Sequence, residues 1–212
     1  IQIMIAGISI LKTIRVQMIK VLNYVNGNFV STEETIEDIN PATGKIIAKI
    51  PRSKPDDIQK AVLAADNARD YWSNLNLEDR RVWLEKIADA LESRSEEIAK
   101  LESLDTGKPI RLARAVDASR SVANFRFFAE FSEGFVGEKF EMDDATNHVI
   151  YKPVGVAGLI TPWNLPLYLL SWKIAPAIVM GNTVVAKPSE LTPLTANPVS
   201  YTHLRAHETE AY

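Results

Sequence analysis

The sequence has no cysteine among its 212 residues. This absence excludes disulfide bonds, Cys-ligated zinc, iron–sulfur clusters and a thiol nucleophile within the chain. Histidine is almost as scarce, because only His148, His203 and His207 occur. So few histidines favour neither a histidine-based metal site nor a catalytic triad, and we predict no metal site.

An excess of basic charge is also lacking. The chain has 24 Lys and Arg against 27 Asp and Glu, a net charge of -3, so no surplus neutralises a phosphate backbone. The apolar stretch at its start, residues 1–11, is shorter than the about 20 residues that span a bilayer, and it lacks the features of a signal peptide. With 46% hydrophobic and 24% charged residues, the composition is typical of a folded protein. We expect a cytoplasmic protein with neither nucleic acid nor membrane as partner.

The two ends differ in pattern from the middle. Residues 1–17 precede Met18 and the first well-patterned segment, so we predict that they are non-native or translated upstream sequence. A buried terminal strand is the alternative. Residues 199–212 leave the preceding pattern abruptly and resemble a translated vector tail, with an ordinary polar terminus as the alternative. Because two of the three histidines lie there, neither receives a catalytic role.

The middle of the chain begins with a predicted β arm. Alternation around an Asn-Gly pair predicts a hairpin over residues 24–30, and a Pro-Ala-Thr-Gly turn with a short strand follows within residues 39–51. Two further strands are predicted at residues 139–142 and 148–154, on either side of a polar turn.

Four helical patterns lie between these strands. The first begins after Pro55-Asp56-Asp57, the third ends at Gly107, and the fourth runs from Pro109 to about Phe131. The charge-rich runs LEDRR and SRSEE are predicted to be solvated faces. The predicted core-facing residues are Ile58, Ala61, Val62, Ala65, Leu84, Ile87, Ala88, Leu91, Ile98, Leu101, Phe125, Phe127, Phe128 and Phe131.

The last patterned stretch, residues 154–193, predicts a βαβ unit. The apolar run VGVAGLI predicts a strand buried on both faces, Pro166 begins a helix with Leu169, Leu170, Ile174 and Ile178 on its apolar face, and TVVA predicts a second buried strand. A short crossover makes the two strands parallel neighbours. Asn164 and Lys187 then lie at one carboxyl edge, where α/β sheets bind ligands. The chain contains neither G-x-G-x-x-G nor a Walker A motif, so a dinucleotide must be held differently.

Three side chains at this edge have suitable chemistry. Lys187 can donate to ribose hydroxyls, Glu190 can accept from them, and Asn164 can offer two amide protons to a developing oxyanion. Structural alternatives exist for each residue taken singly. An asparagine after a strand is often a turn or helix cap, and Lys-Pro-Ser-Glu also fits a capping box.

The motifs VNGNFV, INPATGKIIAKIP, LESLDTGKP, VGVAGLI and TPWNLPLYLLSWKIAPAIVMGNTVVAKPSELTP occur in this order. Together they resemble the NAD(P)-dependent aldehyde dehydrogenase superfamily over about residues 21–197. The resemblance implies an α/β fold, the N-terminal part of a Rossmann-like cofactor-binding domain with a β arm for oligomerisation. Its parts are the arm and helical region at 18–134, oligomerisation strands at 135–153, and a truncated βαβ core at 154–198.

The resemblance also implies roles for single residues. Asn164 matches the amide that stabilises the oxyanion of a tetrahedral thiohemiacetal, and Lys173 matches a lysine near the catalytic centre. Lys187 and Glu190 match the pair that holds the adenosine ribose of NAD. A carboxylate at Glu190 favours NAD over NADP because it would repel a 2′-phosphate. The other implied cofactor-binding residues are Ile160, Thr161, Pro162, Trp163, Pro188 and Ser189.

Family members oxidise aldehydes to acids with a cysteine thiolate and a glutamate-activated water. Both residues belong to the part of the family that follows this chain's end, so we predict that the chain is an inactive fragment of a homodimeric or homotetrameric enzyme. The alternative is a non-catalytic nucleotide-binding or interaction module.

One branch of the family fits this sequence best. The segments SRSVANFRFFAEF and PWNLPLYLLSWKIAP resemble the enzymes that oxidise 2-aminomuconic and 2-hydroxymuconic semialdehydes. In that branch an arginine faces the distant carboxylate of the substrate, and Arg120 is the matching position. The alternatives are a solvated Arg120 or one paired with Asp117, and Arg126 is the second candidate.

Overall fold

The computed structural model of the protein describes residues 18–135 and 137–196. The predictions for residues 1–17 and 199–212 concern segments outside the described residues. Within them the chain forms, in order, a β arm, a helical layer and a βαβ unit. No helix in this described part is long and apolar enough to cross a membrane.

The β arm contains two small sheets. Its strands are β1 (Ile19–Lys20), β2 (Asn23–Val25), β3 (Asn28–Val30), β4 (Thr35–Asn40) and β5 (Lys45–Pro51). The predicted hairpin is confirmed, because β2 and β3 pair antiparallel around Asn26 and Gly27, whose φ angles of 49° and 79° suit a tight turn. Strands β4 and β5 also pair antiparallel, and β1 joins β5 in parallel.

The helical layer confirms the predicted end of the third helix, whereas the first helix already begins at Pro55 and a π-helical segment interrupts the predicted fourth helix. Its elements are α1 (Pro55–Asn74), α2 (Leu77–Ser93), α3 (Ser95–Thr106), α4 (Ile110–Leu112), a π-helical segment (Ala113–Ala118) and α5 (Ser119–Ser132). The Asn76 side chain caps α2 by accepting from the Asp79 N–H at 2.8 Å. At the end of α3, Gly107 adopts a φ of 74°, the left-handed conformation that glycine tolerates.

The predicted βαβ unit is present. Strand β8 (Val156–Ile160), helix α6 (Pro166–Val179) and strand β9 (Thr183–Lys187) follow one another, and β8 and β9 pair in parallel. Apolar faces of α2, α5 and α6 meet in the main core, which contains all four predicted residues of α2 and the fully buried Phe125. A second cluster joins Ile47 and Ala48 of β5 to Leu194.

Several side chains predicted to be buried are exposed. Ile58 is 55% exposed, because α1 lies against the two-stranded sheet mainly through half-buried small residues. Phe127 and Phe131 are 55% and 58% exposed, since α5 turns Val122, Phe125 and Ala129 toward the core. The two exposed rings stack on each other with centroids 5.8 Å apart.

Two strand predictions also need correction. The hairpin of β6 (Lys139–Glu141) and β7 (Thr146–His148) ends at His148, so the predicted strand over 148–154 is wrong beyond its first residue. In the described part of the chain, residues 149–154 have no strand to pair with. Strands β8 and β9 are not buried on both faces, and Ile160 is 69% exposed, because the described sheet here has only two strands.

The LEDRR run is more than a solvated face. Arg80 donates from Nε to the Val179 carbonyl at 2.8 Å, and Arg81 donates from Nε to the Ala129 carbonyl at 2.8 Å. Trp72 adds a bond from Nε1 to the Ile178 carbonyl at 2.8 Å. The last carbonyls of a helix have no partner within the helix, so these side chains supply one.

Candidate active site

The ends of β8 and β9 bring the two predicted motifs together. Ile160 pairs with Lys187, and the Thr161 N–H donates to the Lys187 carbonyl at 3.2 Å. The turn over residues 161–164 therefore begins beside the segment 187–190. This confirms the prediction that both segments leave the sheet at one carboxyl edge.

The Asn164 side chain lies in the turn that leads into α6. It does not cap this helix, because the cap position is Leu165, which makes no side-chain cap bond. Residue 164 is exposed, and within residues 18–135 and 137–196 its amide group makes no hydrogen bond. Its main-chain carbonyl does have a partner, since it accepts a hydrogen bond from the Lys108 ammonium at 3.4 Å. The amide is thus available to a ligand while the backbone is held.

The Lys108 ammonium lies in a cluster of buried carboxylates. Nζ is 2.8 Å from Oδ1 of Asp117 in the π-helical segment and 3.6 Å from Oε1 of Glu102 in α3. Both carboxylate side chains are fully buried, and the lysine side chain is 12% exposed. Burial, together with the charge of Asp117, raises the pKa of Glu102 to about 7.

Sequence reasoning missed this cluster. Glu102, Asp105 and Lys108 occur in the quoted motif LESLDTGKP, but their charges received no role of their own. A signal was available, because Glu102 and Asp105 follow the core residue Ile98 at i+4 and i+7, on the same face of α3. Asp105 is buried as well, and its Oδ2 accepts from the Leu194 N–H at 2.8 Å. Burial raises the pKa of Asp105 to about 8.

Lys187 and Glu190 form a contact with each other. Nζ of Lys187 is 2.6 Å from Oε2 of Glu190, both side chains are exposed, and the ammonium lowers the pKa of the carboxyl group. Ser189 is buried and its Oγ accepts from the Leu191 N–H at 3.2 Å, a local turn contact. A donor and an acceptor thus stand side by side at the surface.

The remaining residues of this edge have mixed environments. Ile160 and Trp163 expose apolar side chains, Thr161 is buried, and Pro162 is exposed. The Lys173 ammonium donates to the Ile160 carbonyl and so joins α6 to the end of β8. Among the described residues, no group of three or more His, Asp or Glu side chains is arranged to hold a metal ion.

Arg120 faces α6 rather than an acid. Its guanidinium carbon lies 5.8 Å from the centre of the Tyr168 ring. In the described part of the chain it has no ion-pair partner, because Asp117 binds Lys108 instead. Arg126, the second candidate, is engaged by Asp89 at 3.0 Å and by Glu92 at 2.6 Å, so its guanidinium is already neutralised.

Comparison with known proteins decides the family. The sequence profile described as "Aldehyde dehydrogenase family" matches residues 29–206 of this chain. The chain belongs to the aldehyde dehydrogenase family. The match spans the β arm from β3, the helical layer and the βαβ unit, and it confirms the resemblance that the motifs indicate.

Two curated aldehyde dehydrogenases are clear relatives. The "2-aminomuconic semialdehyde dehydrogenase" of Homo sapiens is 48% identical over 176 residues, which are 82% of this chain and 36% of that protein. The "2-hydroxymuconic semialdehyde dehydrogenase" of Pseudomonas sp. (strain CF600) is 41% identical over 186 residues, or 84% of this chain and 38% of that protein.

Solved aldehyde dehydrogenases share the fold. The NAD+ complex of an aldehyde dehydrogenase from Bacillus cereus superposes with a TM-score of 0.85 at 36% identity, covering 88% of this chain and 39% of that one. The predicted α/β fold class, the N-terminal part of the family's fold, is therefore confirmed. This chain spans less than two fifths of the length of the aldehyde dehydrogenases compared here.

Proposed function

We propose that this chain is the N-terminal part of an NAD-dependent aldehyde dehydrogenase that oxidises a muconic-type semialdehyde to the acid. One observation carries the proposal. The parallel pairing of β8 with β9 sets the turn 161–164 beside the segment 187–190, so an oxyanion donor and a ribose-binding pair share one sheet edge. We call a full-length aldehyde dehydrogenase that contains residues 18–198 the parent enzyme.

The exposed edge fits a dinucleotide. Lys187 offers N–H donors and Glu190 offers carboxylate acceptors to the two hydroxyls of a ribose, while Ile160 and Trp163 offer apolar surface. When bound, NAD+ accepts the hydride that leaves the substrate carbon. The contact between Lys187 and Glu190 orients both groups before a ribose arrives. Pro188 and Ser189 form a tight turn between Lys187 and Glu190, so the two charged side chains stay close together.

Asn164 acts on the substrate carbonyl. An amide that makes no hydrogen bond to the described residues, carried on a turn whose backbone is held, can donate to an oxygen that gains negative charge. Lys173 has a supporting role, because its ammonium fixes the end of β8 next to that turn.

An Asn164→Ala variant of the parent enzyme tests this role. Loss of one oxyanion donor lowers kcat by about 10²–10³-fold. The affinity for NAD, measured by quenching of protein fluorescence, is expected to stay unchanged because the proposed ribose contacts belong to Lys187 and Glu190. An unchanged kcat would refute the catalytic role of Asn164.

The chain by itself is proposed to be inactive. With no cysteine among the 212 residues, no thiol can form a thiohemiacetal with the aldehyde. Purified chain incubated with NAD+ and an aldehyde is expected to form no NADH above a heat-killed control. Aldehyde-dependent NADH formation would contradict this part of the proposal. Binding of NAD by a parent protein that shows no turnover would favour the alternative of a non-catalytic module.

Arg120 is proposed to bind the carboxylate of the substrate. Its support is the guanidinium, which lies over Tyr168 on α6, the helix that follows Asn164, and has no acidic partner among the described residues, together with the substrates in the names of the two relatives. In the parent enzyme, Arg120→Ala is expected to raise KM for a semialdehyde with a carboxylate by about 10–150-fold, the equivalent of about 1.5–3 kcal/mol. Uncharged aldehydes should be unaffected.

The matched control for Arg120 is Arg114→Ala. Arg114 lies on the adjoining π-helical segment and its guanidinium pairs with exposed Glu96 at 2.7 Å, so its loss should leave both KM values unchanged. Equal losses of Arg120→Ala on charged and uncharged aldehydes would remove the specificity proposal without touching the family assignment.

The β6–β7 hairpin is proposed to lie in a contact between subunits of the parent enzyme, a homodimer or homotetramer. All residues of both strands are exposed, and Phe140 is among them. Phe140→Glu should lower the mass of the parent enzyme in light scattering, and an unchanged oligomer mass would contradict the proposal. A cytoplasmic location stays a prediction.

A further inference from the structure

The ammonium group of Lys108 joins the buried carboxylates to the turn that carries Asn164. Its three contacts are Asp117 at 2.8 Å, Glu102 at 3.6 Å and the Asn164 carbonyl at 3.4 Å. The Asp117 and Asn164 contacts are within hydrogen-bond distance, whereas the Glu102 contact is an ion pair at a longer distance. Asp117 and Glu102 lie in the helical layer, whereas Asn164 belongs to the βαβ unit. The lysine is therefore a link between two parts of the fold.

The backbone that carries Lys108 is itself fixed. The Lys108 carbonyl accepts from Ser103 Oγ at 2.7 Å, and the preceding Gly107 has a φ of 74°. A Cβ atom at Gly107 would lie 2.8 Å from Cγ of Pro41, so the chain passes tightly against the β arm here. Together with a side chain that is only 12% exposed, this leaves the ammonium little freedom.

Within the described residues, few other hydrogen bonds hold the turn 161–164. The Thr161 N–H binds the Lys187 carbonyl at 3.2 Å, and the Trp163 carbonyl accepts from Thr192 Oγ1 at 3.3 Å. The Asn164 carbonyl depends on Lys108. Because the Asn164 side chain makes no hydrogen bond in the described part of the chain, the position of its amide depends on the backbone that carries it.

We propose that Lys108 is a positioning residue, which holds the Asn164 backbone so that the side-chain amide points at the developing oxyanion. This inference rests on the proposed role of Asn164. It assigns a function to an ammonium that touches neither substrate nor cofactor. Misplacement of a catalytic group by about 1 Å can cost about 10²-fold in rate, so a positioning contact of this kind is worth a measurable part of kcat.

The experiment uses Lys108→Met and Lys108→Arg in the parent enzyme. Lys108→Met is expected to slow the burst of NADH per active site by about 10–100-fold. The Kd of NAD should stay unchanged, because Lys187 and Glu190 are intact. Lys108→Arg keeps the charge and N–H donors and should restore part of the burst rate.

Two further variants separate positioning from folding. Lys108→Met combined with Asp117→Asn avoids leaving a buried carboxylate without its cation, so it provides a folded variant if the single change does not fold. Lys100→Met is the matched control, because Lys100 lies on α3, eight positions before Lys108, is 67% exposed, and pairs with Glu96 at 3.5 Å. A merely structural role would lower the number of active sites but leave the burst rate per site unchanged, and that result would overturn the proposal.

A second measurement is independent of activity. In the 212-residue chain, the ¹⁵N order parameter of Asn164 is expected to fall in Lys108→Met and in the double variant but not in Lys100→Met. If the wild-type parent enzyme produces no NADH, the proposed function fails. The order parameter still tests whether Lys108 holds the Asn164 backbone. An unchanged order parameter in both Lys108 variants would overturn the positioning proposal.

Discussion

Replacing Glu102 by glutamine should change how stability depends on pH. The carboxyl group is fully buried in α3, and burial with the charge of Asp117 raises its pKa from 4.5 to about 7. Lys108 and Thr195 act in the opposite direction and do not cancel the effect. Glutamine has nearly the same shape and cannot titrate, so Glu102→Gln isolates the contribution of this proton.

The direction of the pH dependence follows from the number of protons bound in the folded and in the unfolded state. Between pH 4.5 and about 7 the folded state keeps the Glu102 proton that the unfolded state has lost. The free energy of unfolding therefore falls as the pH rises through this window, and the contribution is complete below about pH 4.5. A difference of about 2.5 pKa units at about 1.4 kcal/mol per unit gives about 3 kcal/mol.

Urea unfolding of the wild-type and Glu102→Gln chains at pH 5, 6, 7 and 8 measures this difference. The variant should gain stability relative to wild type by up to about 3 kcal/mol between pH 5 and 8. Glu97→Gln, at an exposed position of the same helix, is the matched control and should give a profile parallel to wild type. Parallel profiles for Glu102→Gln and wild type would refute the reasoning.

Three further changes test the packing, each by urea unfolding at pH 7. Phe125→Ala empties a fully buried site between α2, α5 and α6 and should cost about 3–5 kcal/mol, so a loss below about 1 kcal/mol would contradict the core assignment. Gly107→Ala must place a Cβ 2.8 Å from Pro41 at a φ of 74° and should cost at least about 1 kcal/mol, whereas a neutral result would mean that the backbone relaxes. Trp72→Phe removes the 2.8 Å hydrogen bond from the indole to the Ile178 carbonyl, which also accepts from the Gly181 N–H at 3.0 Å, and should cost about 1 kcal/mol; no loss would show that the indole bond adds no net stability.

Elements that depend on neighbours in the chain were predictable. The Asn-Gly pair sets the β2–β3 turn, the apolar row of α2 is buried as its 3.6-residue period predicts, and Gly107 ends α3. The order strand, helix, strand over residues 154–187 also implied parallel pairing and a shared edge for both motifs. These features follow from backbone conformation and side-chain periodicity, which are local properties.

Contacts between distant elements were not predictable in the same way. Phe127 and Phe131 have the same residue type and helical spacing as Phe125, yet only the packing of α5 against α2 and α6 decides which ring is buried. Arg120 and Arg126 are the same residue type on one helix, and only the positions of Asp89 and Glu92 across the helix layer neutralise Arg126.

The candidate site likewise has features that the sequence determined and features that only the tertiary structure decided. The sequence by itself determined the order of the motifs, the turn that carries Asn164 and the Lys187–Glu190 segment, because each is a short run of chain with its own conformational preference. Only the tertiary structure decided that Lys108 contacts Asn164, 56 positions away, and that Glu102 lies buried beside it. Long-range contacts depend on how whole elements pack together, and the local pattern indicates which face of a helix is buried but not which residues it meets.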